Sequence, residues 1–296
     1  LKLVAFYKEG REALGVKTDK GIVDVEAARA ASGLPAPATV MEAIRGGEEA
    51  VRQLAALAAQ AAGSGEPLLD EAEIDFAPCV TAPNKIVCVG LNYRKHADET
   101  NAPYPQSPIL FNKFNNALTG HGKDVAVPRV TKELDYEAEL VIVIGKRTKN
   151  VERSAALAHV FGYCAGNDLS ARDLQMRTAQ WMLGKTCDGF CPIGPYLVTA
   201  DEVGDPNALG IRAVVNGETR QQSNTSDMIF RCDELVSYIS RHMTLEPGDL
   251  ILTGTPEGVV LGLPPERRVY LQPGDTVTIE IEKLGALTNR FVEDRS

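Results

Sequence analysis

The 296-residue sequence contains no apolar run long enough to cross a bilayer, which excludes a membrane-spanning helix. Its first residues, "LKLVAFYKEGREALG", also lack the pattern of a secretory leader. Leu1 stands where an initiator would, so a Met or a few residues are expected to precede it. No Cys-x-x-Cys pair occurs among the cysteines at 79, 88, 164, 187, 191 and 232, and nothing near Cys187 and Cys191 in "CDGFC" supplies further soft metal ligands. Cys88 and Cys164 fall in apolar, strand-like runs, so the thiols read as buried and reduced, as in a cytoplasmic protein. Excess positive charge is missing too. With 31 Lys and Arg against 40 Asp and Glu, the net charge is −9, which argues against a nucleic-acid partner. An anionic small molecule remains admissible, because a bound divalent ion and a few placed cations reverse the local field. What is present is an ordinary globular composition, 44% hydrophobic and 24% charged, which argues against disorder.

The first part reads as a small α/β unit. "LKLVAFY", "EALGV" and "GIVDV" are short strands separated by turn residues, and "EEAVRQLAALAAQAA" has helical composition and spacing. "GSGEP" ends that helix, and "LLDEAEIDFAPCVTAPNK" reads as a loose linker. From Lys85 the texture becomes β-rich, through "KIVCVGLNY", "PILFNKF", "AELVIVIG", "VFGYCAGND" and further strands to "LTNRF". Helical composition there is confined to "SARDLQMRTAQWM", with Ser170 and Asp173 at capping-box spacing, and "MIFRCDELVSYISRHM". The chain thus divides into a small unit over 1–75 and a larger one over 76–296. "EPGDLILTG" and "QPGDTVTIE" reuse one Pro-Gly-Asp turn before a strand and are not an internal repeat.

"LDYEAEL" places Asp135, Glu137 and Glu139 at the mouth of the apolar run "VIVIG". Alternate residues of a strand share a face, so an extended segment aims all three carboxylates one way. From Leu140 to Ile144 both faces are apolar, the pattern of a strand covered on both sides. Carboxylates entering such a strand repel one another and need a compensating cation. The segment alone leaves two readings open, a solvated strand end or a cation site. Asp168 stands where a strand gives way to a helix, as a turn or capping residue or a third carboxylate. His96 and Glu99, three apart in "GLNYRKHADET", share a face if helical, as a surface pair or as an oriented general base. Lys185 sits in the loop "WMLGKTCDGFCPIGP". Thr255 in "LTGTPEGV" marks either an ordinary turn or hydroxyl and backbone donors arranged for a carboxylate.

Taken in order and spacing, "GLNYRKHADE", "LDYEAEL.VIVIG", "GYCAGNDLSARDLQ", "W..GKTCDGFCPIGP", "VNGE" and "GDLILTGTPEGV" resemble the fumarylacetoacetate hydrolase family from about Pro83 to the C-terminus. The closest resemblance is to its acylpyruvase and oxaloacetate decarboxylase branch. That resemblance implies an α+β fold, a mixed β-roll catalytic domain preceded by a small α/β domain, in a homodimer. It implies metal ligands at Glu137, Glu139 and Asp168, with Asp135 a neighbouring or surface residue. His96 and Glu99 match a catalytic dyad on a short mobile helix. Lys185 and Gln175 match positions facing the substrate, Thr255 matches a carboxylate-binding position, and Lys113 falls in the substrate loop. The chain departs from many members there, since Phe114 rather than Pro follows Lys113.

An all-carboxylate ligand set suits hard cations, so Mg2+ or Mn2+ is expected. The implied reaction cleaves a C–C bond of a 2-oxo acid through a metal-stabilised enolate, as oxaloacetate decarboxylation or as hydrolysis of an acylpyruvate or fumarylpyruvate. Isomerisation or decarboxylation in aromatic catabolism, of the 2-hydroxyhepta-2,4-diene-1,7-dioate isomerase type, uses the same electron sink. A non-catalytic metal-binding scaffold is the reading from a different class. It is disfavoured because His96, Glu99 and Lys185 are all retained.

Overall fold

The computed structural model of the chain describes residues 1–64 and 68–295. A ten-stranded mixed sheet runs, edge to edge, through Gly21–Asp24, Arg11–Thr18, Lys2–Lys8, Cys191–Thr199, Val160–Asn167, Ala138–Ile144, Leu250–Leu252, Ile86–Gly90 and Ile109–Lys113, with Leu118–Thr119 added alongside Cys191–Thr199. Most neighbours are antiparallel, whereas Leu250–Leu252 runs parallel to Ile86–Gly90. A five-stranded sheet, Glu218–Asn224, Gly210–Val215, Thr276–Ile281, Gly285–Glu293 and Asp124–Val127, packs against it. A two-stranded ribbon joins Leu134–Asp135 to Ser170–Ala171. The fold is the expected α+β mixture.

Ala138–Ile144, Val160–Asn167 and Cys191–Thr199 are buried at every position. That double burial is why "ELVIVI" shows no apolar–polar alternation. The three N-terminal strands fall on the expected segments. They also extend the main sheet, since Lys2 and Leu3 pair with Val198 and Leu197. The expected linker is packed rather than loose: Phe76 bridges to Phe6, Leu69 bridges to Ile22, and Phe76 to Val80 is buried. Of the "GSGEP" stop, residues 65–67 lie outside the described residues. The preceding helical segment, Val40–Ser64, begins earlier than expected and is broken at Gly47.

"SARDLQMRTAQWM" is not one helix. It yields the short helices Arg172–Gln175 and Met182–Lys185, with turns between. No capping box forms, because Ser170 Oγ donates to Asp168 O and Asp173 accepts from Thr131 Oγ1 and Lys132 N. The last long helix is confined to Cys232–His242. Five cysteines are buried and Cys187 is half-buried, all as free thiols. Among the described residues, no helix is long and apolar enough to cross a membrane.

Candidate active site

The strand carrying the carboxylates is interrupted. Leu134–Asp135 pairs with Ser170–Ala171, while Ala138–Ile144 pairs with Val160–Asn167. Between these pairings, Glu137 N donates to Asn167 Oδ1 at 3.0 Å and Asp168 N donates to Glu137 O at 2.9 Å. This crossing brings Asp168 beside the two glutamates. One oxygen each from Glu137, Glu139 and Asp168 lie within 4.8 Å of one another, and all three residues are buried. Asp135 does not share their face, because the break turns it toward Arg172 and the N–H groups of Val260 and Leu261. It is completely buried, which corrects the surface alternative and leaves Asp135 as a neighbour of the triad.

Three cations, Lys185, Arg172 and Lys113, answer two of the carboxylates, Glu137 and Asp168. Lys185 Nζ lies 3.0 Å from Glu137 Oε2 and 3.1 Å from Asp168 Oδ2, and 4.8 Å from the Phe111 ring centre. Gly184 permits this placement: a Cβ there would stand 2.5 Å from Gln175 N and 2.6 Å from Ala171 O. Arg172 Nη2 lies 2.7 Å from Glu137 Oε1 and 2.9 Å from Asp135 Oδ2, as ion-pair contacts rather than aligned hydrogen bonds. Burial opposes ionisation of Glu137, but Lys185 and Arg172 outweigh it and hold the carboxyl down at about 2. Glu139 accepts a hydrogen bond from Gly254 N at 2.8 Å and, among the described residues, forms no ion pair. Burial, then the charges of Asp168 and Glu137, push its carboxyl well above the ordinary range. A buried carboxylate lacking a counter-charge beside two others is the arrangement that a divalent cation completes, so the residues present fit one.

A cavity of about 190 Å³ opens above this centre. Its lining includes His96, Glu137, Glu139, Gln175, Lys185 and Thr255, with Phe111, Trp181, Met176 and Leu261 as apolar wall. Surface grooves of about 480 and 520 Å³ lie elsewhere. Chemistry rather than volume selects the smaller cavity, because among the described residues only it adjoins a convergent acidic group. The helix Arg94–Glu99 supplies the dyad, with His96 Nδ1 2.7 Å from Glu99 Oε1. A carboxylate only accepts, so Nδ1 carries a proton, and in the neutral imidazole Nε2 is left as acceptor. Glu99 Oε2 accepts from Gly258 N at 3.0 Å. Gln221 Nε2 donates to Thr255 Oγ1 at 2.9 Å, leaving the hydroxyl proton free to donate onward.

The structure therefore brings together His96, Glu99, Lys185, Gln175, Thr255, Glu137, Glu139 and Asp168. It does not bring Lys113 to the cavity. Lys113 Nζ donates to the carbonyls of Leu169, Lys185 and Phe190 at 3.0, 2.6 and 2.8 Å, and lies 2.7 Å from Asp168 Oδ1. It stands behind the acidic centre, with its ammonium protons already used.

Residues 85–292 match the family described as fumarylacetoacetate (FAA) hydrolase C-terminal. The chain belongs to the fumarylacetoacetate hydrolase family. The mitochondrial oxaloacetate tautomerase of Bos taurus is 46% identical over 259 residues, covering 86% of this chain and 80% of the relative. The solved fumarylacetoacetate hydrolase of Exiguobacterium antarcticum is 34% identical, with a TM-score of 0.84 and 99% of both chains covered. The maleylpyruvate hydrolase of Sphingobium sp. SYK-6, solved with manganese(II) ion and pyruvate, is 32% identical, with a TM-score of 0.80 and 100% of both chains covered. The acidic triad and this manganese-bound family member together support a divalent cation here. The bovine relative is mitochondrial, and reduced thiols suit that compartment as well as the expected cytoplasm.

Arg172 and Gln221 are site residues that sequence reasoning missed. A signal for Arg172 existed: it lies three positions before Gln175, and Arg172 Nη1 donates to Gln175 Oε1 at 3.0 Å. Gln221 had none, since its role is to bridge Ala138 N and Thr255 across two elements.

Proposed function

We propose that the chain enolises a 2-oxo acid, with keto–enol interconversion of oxaloacetate as its first reaction. The observation that carries this reading is the uncompensated Glu139 within a buried three-carboxylate cluster, lining the same cavity as His96. Identity of 46% to an oxaloacetate tautomerase supports the substrate. Glu137, Glu139 and Asp168 would hold Mg2+ or Mn2+. When bound, the cation supplies Lewis acidity toward the carboxylate and keto oxygen of the 2-oxo acid.

The chain's own groups carry the proton. His96 Nε2 takes it from C3, and Glu99 on Nδ1 fixes the tautomer and steadies the charged imidazole. Returning that proton to the former keto oxygen completes the tautomerisation with no net loss or gain. Lys185 balances the charge accumulating on that oxygen. Thr255 offers its hydroxyl proton to a substrate carboxylate. Gln175, its Oε1 taken by Arg172, presents its amide N–H groups. Phe111 and Trp181 exclude water from one wall. In this reading residues 76–296 form the catalytic domain and 1–75 brace it.

C–C bond cleavage is the second reading. It is favoured by the same free Nε2, which can take a proton from water, and by likeness to a maleylpyruvate hydrolase. The test follows the enol absorbance of oxaloacetate by rapid mixing, with pyruvate release from oxaloacetate and acetylpyruvate assayed in parallel. Cation-dependent loss of the enol ahead of pyruvate release is expected. Pyruvate release as fast as enol loss would replace tautomerisation by cleavage, and no turnover of either acid with Mg2+ or Mn2+ would remove both readings.

A further inference from the structure

Asp135 neither belongs to the acidic triad nor lines the cavity, yet it is completely buried and both its oxygens are saturated. Oδ1 accepts from Tyr136 N and Val260 N, each at 2.9 Å. Oδ2 accepts from Leu261 N at 3.0 Å and Arg172 Nε at 2.9 Å, with Arg172 Nη2 also 2.9 Å away. The adjacent Tyr136 hydroxyl donates to Gly258 O at 2.9 Å. Two consecutive residues thus grip the loop 258–262 at three points.

That loop holds the catalytic dyad from its far side. Gly258 N donates to Glu99 Oε2 at 3.0 Å. At Gly262 a Cβ would stand 2.5 Å from the Glu99 carboxyl carbon, so the backbone lies directly on that carboxylate. At its other end Asp135 shares the Arg172 guanidinium with Glu137, at 2.9 and 2.7 Å from Nη2. A polar path therefore runs from Glu137 through Arg172, Asp135 and the loop to Glu99 and His96.

We infer that Asp135 is a positioning residue that pins the loop 258–262, and through it the His96–Glu99 pair, to the strand holding the acidic triad. It sets where His96 Nε2 stands relative to the substrate's C3. This role rests on the enolisation reading. It explains why a buried charge is kept where an apolar residue would avoid the desolvation cost. It also gives the network a function beyond folding, since displacement of a catalytic group by about 1 Å costs roughly 10²-fold in rate.

Asp135→Asn tests it. An amide has one acceptor oxygen, so its N–H groups must face either Tyr136 N and Val260 N or Leu261 N and Arg172, and a donor of the loop loses its acceptor either way. On oxaloacetate, kcat should fall roughly 10–100-fold, with KM and Mn2+ affinity nearly unchanged. Amide exchange should quicken in peptides covering 258–262 and 94–99 but not in 138–144. Tyr136→Phe, which removes a single grip, should give a smaller kcat loss with quickened exchange in 258–262, and it decides the matter if Asp135→Asn does not fold. Unchanged exchange in 258–262, uniform quickening across the chain, or a kcat loss matched by lost Mn2+ binding would overturn the inference. If the wild-type protein turns over no 2-oxo acid, the functional reading fails, while exchange and Mn2+ titration still decide the coupling.

Discussion

Lys113 Nζ stands 2.7 Å from Asp168 Oδ1, and neither side chain reaches solvent. The same ammonium ties the backbone at Leu169, Lys185 and Phe190, so one residue fixes both Asp168 and the segment carrying Lys185. Lys113→Met should therefore act on stability. Removing one of the two ammonium partners of buried Asp168, and the donor shared by three carbonyls, should cost roughly 3–5 kcal/mol, read as a lowered midpoint in urea. A wild-type midpoint with a raised KM would instead return Lys113 to the substrate.

Cation binding should strengthen with pH. The Glu139 carboxyl is raised above its ordinary 4.5, so the cation-free fold retains a proton there that the unfolded chain has released. Above 4.5 that retention costs the cation-free fold stability, and the cost grows until Glu139 ionises. Mg2+ must displace this proton. The gain in melting temperature on adding Mg2+ should rise as pH rises, and calorimetry in buffers of different ionisation enthalpy should register proton release. Release of no proton would refute the assignment of Glu139. Glu137 works in the opposite sense: held down at about 2, it contributes stability above 4.5 that is lost as the pH falls toward 2.

Lys185→Met should damage turnover more than metal loading. Its ammonium meets Glu137 and Asp168 and lines the cavity where, in the proposed reaction, charge develops on the substrate oxygen. With saturating Mn2+, kcat should drop by roughly 10²-fold or more. An unchanged kcat would reduce Lys185 to a counter-ion of the acidic centre.

His96→Ala separates the chemistries. Removal of a general base costs roughly 10²–10⁴-fold. Enol–keto interconversion and acylpyruvate hydrolysis should both suffer this loss, whereas decarboxylation of oxaloacetate, which needs no attacking water, should suffer less. Equal losses in all three, measured on one preparation with saturating cation, would mean that His96 serves to close the cavity.

Much of this was readable from the residues. The apolar run after Glu139, the Asp168 junction and the three-residue spacing of His96 and Glu99 are local patterns, and local patterns survive in a sequence. What stayed hidden depends on long-range pairing. Period-two alternation continues through "LDYEAE" although the strand breaks there, so nothing local shows Asp135 turning away. Lys113 looks like a loop cation until Leu169, Lys185 and Phe190 surround it. The stretch after residue 67 looks loose because its partners, Phe6 and Ile22, lie some 50 to 70 positions earlier.

Trp181 is the sole tryptophan of the chain, and it stands in the cavity wall, edge-on to Phe111 at 5.3 Å and close against Gly90. Indole emission from this protein consequently originates at one place, beside the acidic centre. A substrate entering the cavity changes the polarity around that single fluorophore, and a paramagnetic Mn2+ beside it offers a quenching route that Mg2+ lacks. The aromatic wall that keeps water out of the chemistry thus also makes the filling of the site visible as light.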